Sequence, residues 1–402
     1  MTKRSVTEDR IRVAVLGSTG SIGVNTLRVI ERHLDRFQIV VLAANRSADA
    51  LEEQARRHPS AQVILCDRGA YADPGGARSD WIVGRDHLLD SVTRPDVDIV
   101  VNGLVGFAGL EPSLRALASG KRLALANKES LVAGGELMVR ALKKGEGQLI
   151  PIDSEHSAVT QCLGDRPTSE VERVILTASG GPFRGWSAER LAKVCPSDAL
   201  QHPTWDMGAK ITVDSATLAN KALEVIEAHF LYGLPYDRID TVVHPQSIVH
   251  SLVEFIDGSV IAQMGFPNME LPIIDALTYP ERVADAALRT FDAVNLPPLT
   301  FEAIELERFP LFGIGSEAGK RGGTAPTVFN AANEVAVAAF LAEEVSFPMI
   351  ADIVGETLAR FELGPATELG DVLAADQAAR RMSREIMKGG HTAARGYVTW
   401  PF

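Results

Sequence analysis

The chain is poor in cysteine. Cys66, Cys162 and Cys195 are its only three in 402 residues, odd in number and far apart, with no CxxC pair. That excludes a disulfide framework and points to a reducing compartment. An excess of positive charge is missing too: the formal net charge is −12, which argues against nucleic acid or an anionic membrane as main partner. No apolar run is long enough to span a bilayer. The opening stretch MTKRSVTEDR is too polar for a secretory signal, so a cytoplasmic location is expected. There are no internal repeats and no low-complexity segment. What remains is a globular composition, 46% hydrophobic and 23% charged, long enough for two or three domains.

The first motif lies at the N-terminus. Ile11 to Leu16 reads as a short buried strand, followed by Gly17-Ser18-Thr19-Gly20-Ser21-Ile22-Gly23 and a helix from about Val24. Strand, glycine-rich turn and helix is the context of a dinucleotide site, here with GxxGxxG spacing. A second strand, Gln38 to Ala43, leads into Asn45-Arg46-Ser47. NAD-binding folds place a carboxylate here for the ribose; an Arg instead suits the 2′-phosphate, so NADPH is expected. Further strand candidates are 61–66, 82–83, 97–102 and 122–126. The last leads into Asn127-Lys128-Glu129, at the strand end where an open α/β sheet keeps its site.

Leu149 to Ile152 reads as a strand delivering Asp153-Ser154-Glu155-His156. Two carboxylates at i and i+2 make half of an oxygen-ligand site for Mg²⁺ or Mn²⁺, while a capped helix start would use the same residues differently. Strand 174–178 runs into Ser179-Gly180-Gly181, a turn able to present a hydroxyl and backbone N–H groups to an anion. His202 to Glu227 reads as a loop, a short strand over Lys210 to Val213, and a helix with Asp214 and Ser215 at N-cap positions. Such a helix start, with Ser215, Asn220 and Lys221, suits a phosphate. Glu224 and Glu227, three apart, could each face the site. Strands near 241–243, 247–255 and 259–263 predict a mixed sheet. The stretch from about 280 to 301 reads as a linker, and helices are expected beyond residue 305.

The segments GSTGSIG, ANKES, PIDSEH, ASGGPF, HPTWDMGAKITVDSATLANKALE and GGTAPTVFNAANEVAVAAF, in this order, closely resemble the 1-deoxy-D-xylulose 5-phosphate reductoisomerase family. The resemblance covers nearly the whole chain. It implies an α/β protein with three parts: an N-terminal Rossmann-like parallel sheet binding NADPH (1–149), a central α+β catalytic domain (150–279), and, after a linker (280–304), a small C-terminal helical domain (305–402). It implies NADPH contacts at Thr19, Gly20, Ser21, Ile22, Asn45, Arg46, Ser47, Asn127, Glu129, Gly208 and Met269. Asp153, Glu155 and Glu224 match the family's ligands for Mg²⁺ or Mn²⁺, which selects Glu224 over Glu227. Lys128, Ser154, Glu155, Ser179, His202, Ser215, Asn220, Lys221 and Glu224 match substrate contacts. Lys128, Glu155, His156 and Trp205 match catalytic positions, and Trp205 with Met207 matches a loop that closes over substrate. Asp206 departs from the Ser or Asn frequent there. The implied partner is a small phosphorylated sugar, with a homodimer expected from the family only.

Two other readings use the same N-terminal turn. A semialdehyde-type dehydrogenase would need a placed nucleophilic cysteine, and a non-enzymatic NADP(H) sensor would need no three-carboxylate site.

Overall fold

Short apolar runs build the first sheet. In the computed structural model, which describes residues 10–72 and 76–389, β1 (Ile11–Leu16), β2 (Phe37–Ala44), β3 (Gln62–Leu65), β4 (Ile82–Val83), β5 (Ile99–Asn102), β6 (Arg122–Leu125) and β7 (Gln148–Pro151) pair in the order β4-β3-β2-β1-β5-β6-β7. Every pairing is parallel. Central strands of such a sheet are covered on both faces and need continuous rather than alternating hydrophobicity. Val13, Val15, Leu42, Val101 and Ala124 are accordingly fully buried in one core. The chain leaves β1 toward β2 on one side and later returns to its other side as β5. That reversal is a topological switch point, where the C-terminal strand ends open a crevice for a ligand. The polar N-terminal stretch read above falls outside the described residues except for Arg10.

This first compact unit runs to Asn127, resumes over Arg140–Ser157 and resumes again over Asn268–Arg289. Its last segment carries the helix Glu270–Thr278, whose Ile273, Ala276 and Leu277 belong to the sheet's core. Arg32, at the end of the helix Ser21–Arg32, fastens that segment by ion pairs to Glu270 at 2.7 Å and Asp285 at 2.8 Å. Each unit is therefore discontinuous in sequence, whereas the sequence reading divided the chain into continuous stretches. The expected linker includes residues 280–289, which belong to the first unit.

The second unit comprises Lys128–Val139, Ala158–Pro267 and the chain from Thr290 onward. It contains β8 (Val171–Ala178), β9 (Ile239–Val243), β10 (Val249–Phe255) and β11 (Val260–Met264), in the order β11-β10-β8-β9. The β8–β9 pair is parallel and the other two are antiparallel, so the sheet is mixed, as expected. The helices Pro310–Arg321, Ala325–Leu341, Met349–Arg360 and Leu369–Lys388 share a core with the helix Ala219–Tyr232, around the fully buried Phe329 and Phe340. No helix among the described residues is long and apolar enough to cross a membrane.

One expected element is different. Lys210 to Val213 is not a strand but lies in the helix Ala209–Thr217. Its β-branched run favours a strand locally, yet Thr212 and Val213 are buried by packing along a helix, and tertiary burial outweighs propensity. Asp214 and Ser215 are consequently not N-caps; they lie in that helix's last turns. The break comes at Leu218, a non-glycine residue at φ 57° and ψ 15°, after which the helix Ala219–Tyr232 starts.

Candidate active site

In the first unit the glycine-rich turn leaves β1 at the switch point. Gly17 has φ 76°, and a Cβ there would lie 2.7 Å from the Gly103 carbonyl oxygen. A Cβ at Gly23 would lie 2.3 Å from Gly17 O, so helix and turn could not approach as they do. Gly20 is the N-cap of Ser21–Arg32 and offers no capping side chain. The first-turn N–H groups therefore have no side-chain acceptor at the cap, as a pyrophosphate-binding helix requires. Thr19 and Ile22 are half-buried, and Gly20 and Ser21 exposed.

Asn45, Arg46 and Ser47 are exposed at the end of β2, with Arg46 Nε donating to Asp67 Oδ2 at 2.5 Å. Asn127 is buried and donates to the carbonyls of Leu104 (2.9 Å) and Gly106 (2.8 Å), which fixes the loop after β5. Met269 is the N-cap residue of Glu270–Thr278 and packs against the sheet's core. Asp153 follows β7 and precedes the helix Ser154–Leu163. Glu155 N donates to Asp153 Oδ1 (3.2 Å) and Ser154 Oγ to Glu155 Oε2 (2.6 Å). Asp153 thus accepts from the first turn of the helix, as the helix-start reading expects, with Glu155 following it in that turn. His156 is fully buried in this helix.

In the second unit the structure gathers two clusters. In the first, Glu224, its side chain 1% exposed, accepts from Lys128 Nζ at 3.0 Å and also from Lys221 and Asn220. A buried carboxylate is tolerated only with such compensation. Asn220 and Lys221 lie in the first turn of Ala219–Tyr232, whereas Ser215, expected on the same helix start, lies at the end of the preceding helix. Glu227, one turn on, is also buried.

The second cluster is Ser179, His202 and Ser215. His202 Nε2 lies 2.9 Å from Ser179 Oγ and 3.1 Å from Ser215 Oγ. Gly181 makes this possible: at φ 66°, with a Cβ that would meet Ser215 O at 2.6 Å, only glycine lets the turn after β8 approach the end of Ala209–Thr217. Burial pushes the His202 imidazole down to about 4. Trp205 and Met207 are half-buried in the following loop, and the Trp205 ring lies 6.2 Å from that of His250. Gly208, expected at the cofactor, is the N-cap of Ala209–Thr217.

The sequence reading missed the network beneath that helix. Lys210 Nζ reaches Glu129 Oε1 at 2.7 Å and Asp214 Oδ2 at 2.8 Å, and Asn333 donates to Asp214 Oδ1 at 2.8 Å. Burial opposes ionisation of Glu129, but the Lys210 charge outweighs it and holds that carboxyl below its usual range. At Asp214 burial wins and pushes the carboxyl up. The i, i+4 spacing of Lys210 and Asp214 was the available signal, hidden by taking the segment as a strand.

Three family models match this chain. A model described as 1-deoxy-D-xylulose 5-phosphate reductoisomerase matches residues 13–135, and two of that enzyme's C-terminal domain match 149–232 and 264–382. The chain is 47% identical over 386 residues to the 1-deoxy-D-xylulose 5-phosphate reductoisomerase of Ralstonia nicotianae, covering 94% of this chain and 98% of the relative. It is 49% identical over 383 residues to that of Nocardia farcinica, covering 94% and 95%. Among solved structures, the enzyme from Zymomonas mobilis in complex with NADPH superposes at a TM-score of 0.88 with 42% identity, covering 95% of this chain and all of that one. A DOX-P reductoisomerase in complex with NADPH, fosmidomycin and magnesium does so at 0.89 with 37% identity, covering 94% and 98%. This chain belongs to the 1-deoxy-D-xylulose 5-phosphate reductoisomerase family.

Proposed function

We propose that the chain converts 1-deoxy-D-xylulose 5-phosphate to 2-C-methyl-D-erythritol 4-phosphate, a step of the non-mevalonate isoprenoid route, using NADPH and a divalent cation. The observation that carries this reading is near-full-length similarity to reductoisomerases, at 47% identity in the Ralstonia nicotianae enzyme. Solved relatives hold NADPH and magnesium.

The residues present fit both groups. The turn Gly17–Gly23, with its uncapped helix start, suits a pyrophosphate, with Thr19, Gly20, Ser21 and Ile22 beside it. Arg46 suits the 2′-phosphate, with Asn45 and Ser47 flanking it. Asn127, Glu129, Gly208 and Met269 complete the proposed cofactor contacts. Asp153, Glu155 and Glu224 each offer a carboxylate oxygen, a donor set suited to Mg²⁺ or Mn²⁺. When bound, the ion supplies a Lewis acid for the substrate's oxygens and NADPH supplies the hydride.

The chain's own residues do the rest. Lys128 and Ser154 bind near the reacting carbons, and buried His156 backs the helix carrying Ser154 and Glu155. Ser179, Ser215, Asn220 and Lys221 hold the phosphate, with His202 beside them in the substrate pocket. That remote binding energy drives the Trp205–Met207 loop over the substrate and excludes water. In functional terms, residues 1–149 supply most of the NADPH site, 150–279 most of the metal and substrate site, and 305–402 a helical support. The protein acts in the cytoplasm as a homodimer. The edge strand β11, with Val260, Ile261 and Met264 exposed, is a surface suited to a second copy.

The test is NADPH oxidation with 1-deoxy-D-xylulose 5-phosphate, with and without Mg²⁺ or Mn²⁺. Turnover that requires both substrate and metal is expected; metal-independent turnover would refute the reading.

A further inference from the structure

His202 makes four hydrogen bonds with a ring that has two nitrogens. On one side, Nδ1 accepts from the backbone N–H of Thr204 at 3.1 Å and of Trp205 at 2.9 Å. A nitrogen that accepts two N–H bonds carries no proton, so neither the imidazolium nor the Nδ1–H form fits. The single ring proton sits on Nε2. There it faces two hydroxyl oxygens, Ser179 Oγ and Ser215 Oγ, at 2.9 and 3.1 Å. Ser179 Oγ also accepts from Gly181 N–H at 3.2 Å. With its lone pairs engaged by Gly181 and His202, Ser179 has only its own hydroxyl proton left to offer.

We propose that His202 is a positioning residue that sets the hydrogen-bond polarity of the phosphate pocket. It fixes the Ser179 and Ser215 oxygens as acceptors toward the ring, so that both hydroxyl protons point to an acceptor-only ligand, while its other nitrogen ties down the Thr204–Trp205 loop amides. The ligand class selected is a phosphate or phosphonate dianion, which accepts and does not donate, over a group that must donate. Loop and pocket are joined through one ring: ordering the loop at Nδ1 aims the donors at Nε2. The inference rests on the proposed phosphate role of Ser179 and Ser215.

Two substitutions separate the halves. His202→Asn keeps a carbonyl for the loop amides but is too short to reach the serines. His202→Gln places an amide N–H near the Nε2 position. The experiment is ¹⁵N NMR of the histidine rings in the ligand-free full chain at neutral pH, assigned by comparison with His202→Gln, followed by calorimetric titration with inorganic phosphate. The expected results are an Nε2–H tautomer, about tenfold weaker phosphate binding in His202→Asn, and recovery of most of that loss in His202→Gln. An Nδ1–H tautomer, or equal losses in both variants, would overturn the inference and leave the phosphate reading standing. Unchanged phosphate affinity in a Ser179→Ala/Ser215→Ala double variant would overturn the phosphate reading, and the inference with it.

Discussion

Lys210 joins Glu129, 81 residues away in sequence, at 2.7 Å, and in the same position pairs with Asp214 one helical turn ahead. The ammonium is 17% exposed and the Asp214 carboxylate 1%. Two buried acids thus share one cation, and Asn333 in the C-terminal helices completes the set. The helix that carries Ser215 is anchored from below by charge, and its register follows from where Lys210 must reach.

Removing that cation should therefore be costly. Lys210→Met takes the shared ammonium from two buried carboxylates, a loss of about 3–5 kcal/mol. Asn333→Ala removes one hydrogen bond to a charged group, about 1.5–3 kcal/mol. Chemical denaturation of both variants checks the order; a Lys210→Met protein as stable as wild type would show that the network contributes nothing.

Arg46 is 77% exposed and paired with Asp67, so it contributes little to stability and is available to a ligand. Arg46→Ala should raise the KM for NADPH roughly ten- to hundredfold, the scale of a charge-assisted hydrogen bond, with NADH use unchanged. Parallel losses for the two cofactors would mean that Arg46 does not read the 2′-phosphate.

Glu224 and Glu227 are both buried on one helix, and Glu224 is bonded to Lys128, Asn220 and Lys221. Glu224→Gln should lose Mn²⁺ affinity and nearly all turnover while NADPH still binds. It should also melt earlier, because two buried ammonium groups lose a carboxylate partner. Glu227→Gln should keep most activity. Metal titration followed by the Mn²⁺ spin signal decides between them; the reverse pattern would reassign the ligand.

The His202 ring ordinarily titrates at 6.5 and is pushed down to about 4 by burial. Between those values the unfolded chain binds a proton that the folded site refuses. Acidification across that window therefore favours unfolding, and the contribution is complete again above it. Calorimetric melting from pH 7 to pH 4 should show a steeper fall for wild type than for His202→Gln. Identical slopes would indicate that the ring is protonated in the folded protein.

The local patterns were open to reading from the sequence alone. β1 and Ile82–Val83 lie at the residues expected, and the other strands differ by a few residues at their ends, because continuous apolar runs bounded by glycine and polar residues carry their own signal. The glycine turn, Arg46 after β2, the Asp153–Glu155 pair and the Asn220–Lys221–Glu224 spacing were likewise visible, since each is a short-range pattern. Tertiary structure decided what sequence spacing does not encode. It made Lys210 to Val213 helical, because burying Val213 and seating Lys210 between two carboxylates outweighs β-propensity. It returned 268–289 to the first sheet through Arg32, Glu270 and Asp285. And it brought Ser179 and Ser215 to one histidine ring, a meeting that depends on Gly181 allowing two backbones to approach and that no window of neighbouring residues contains.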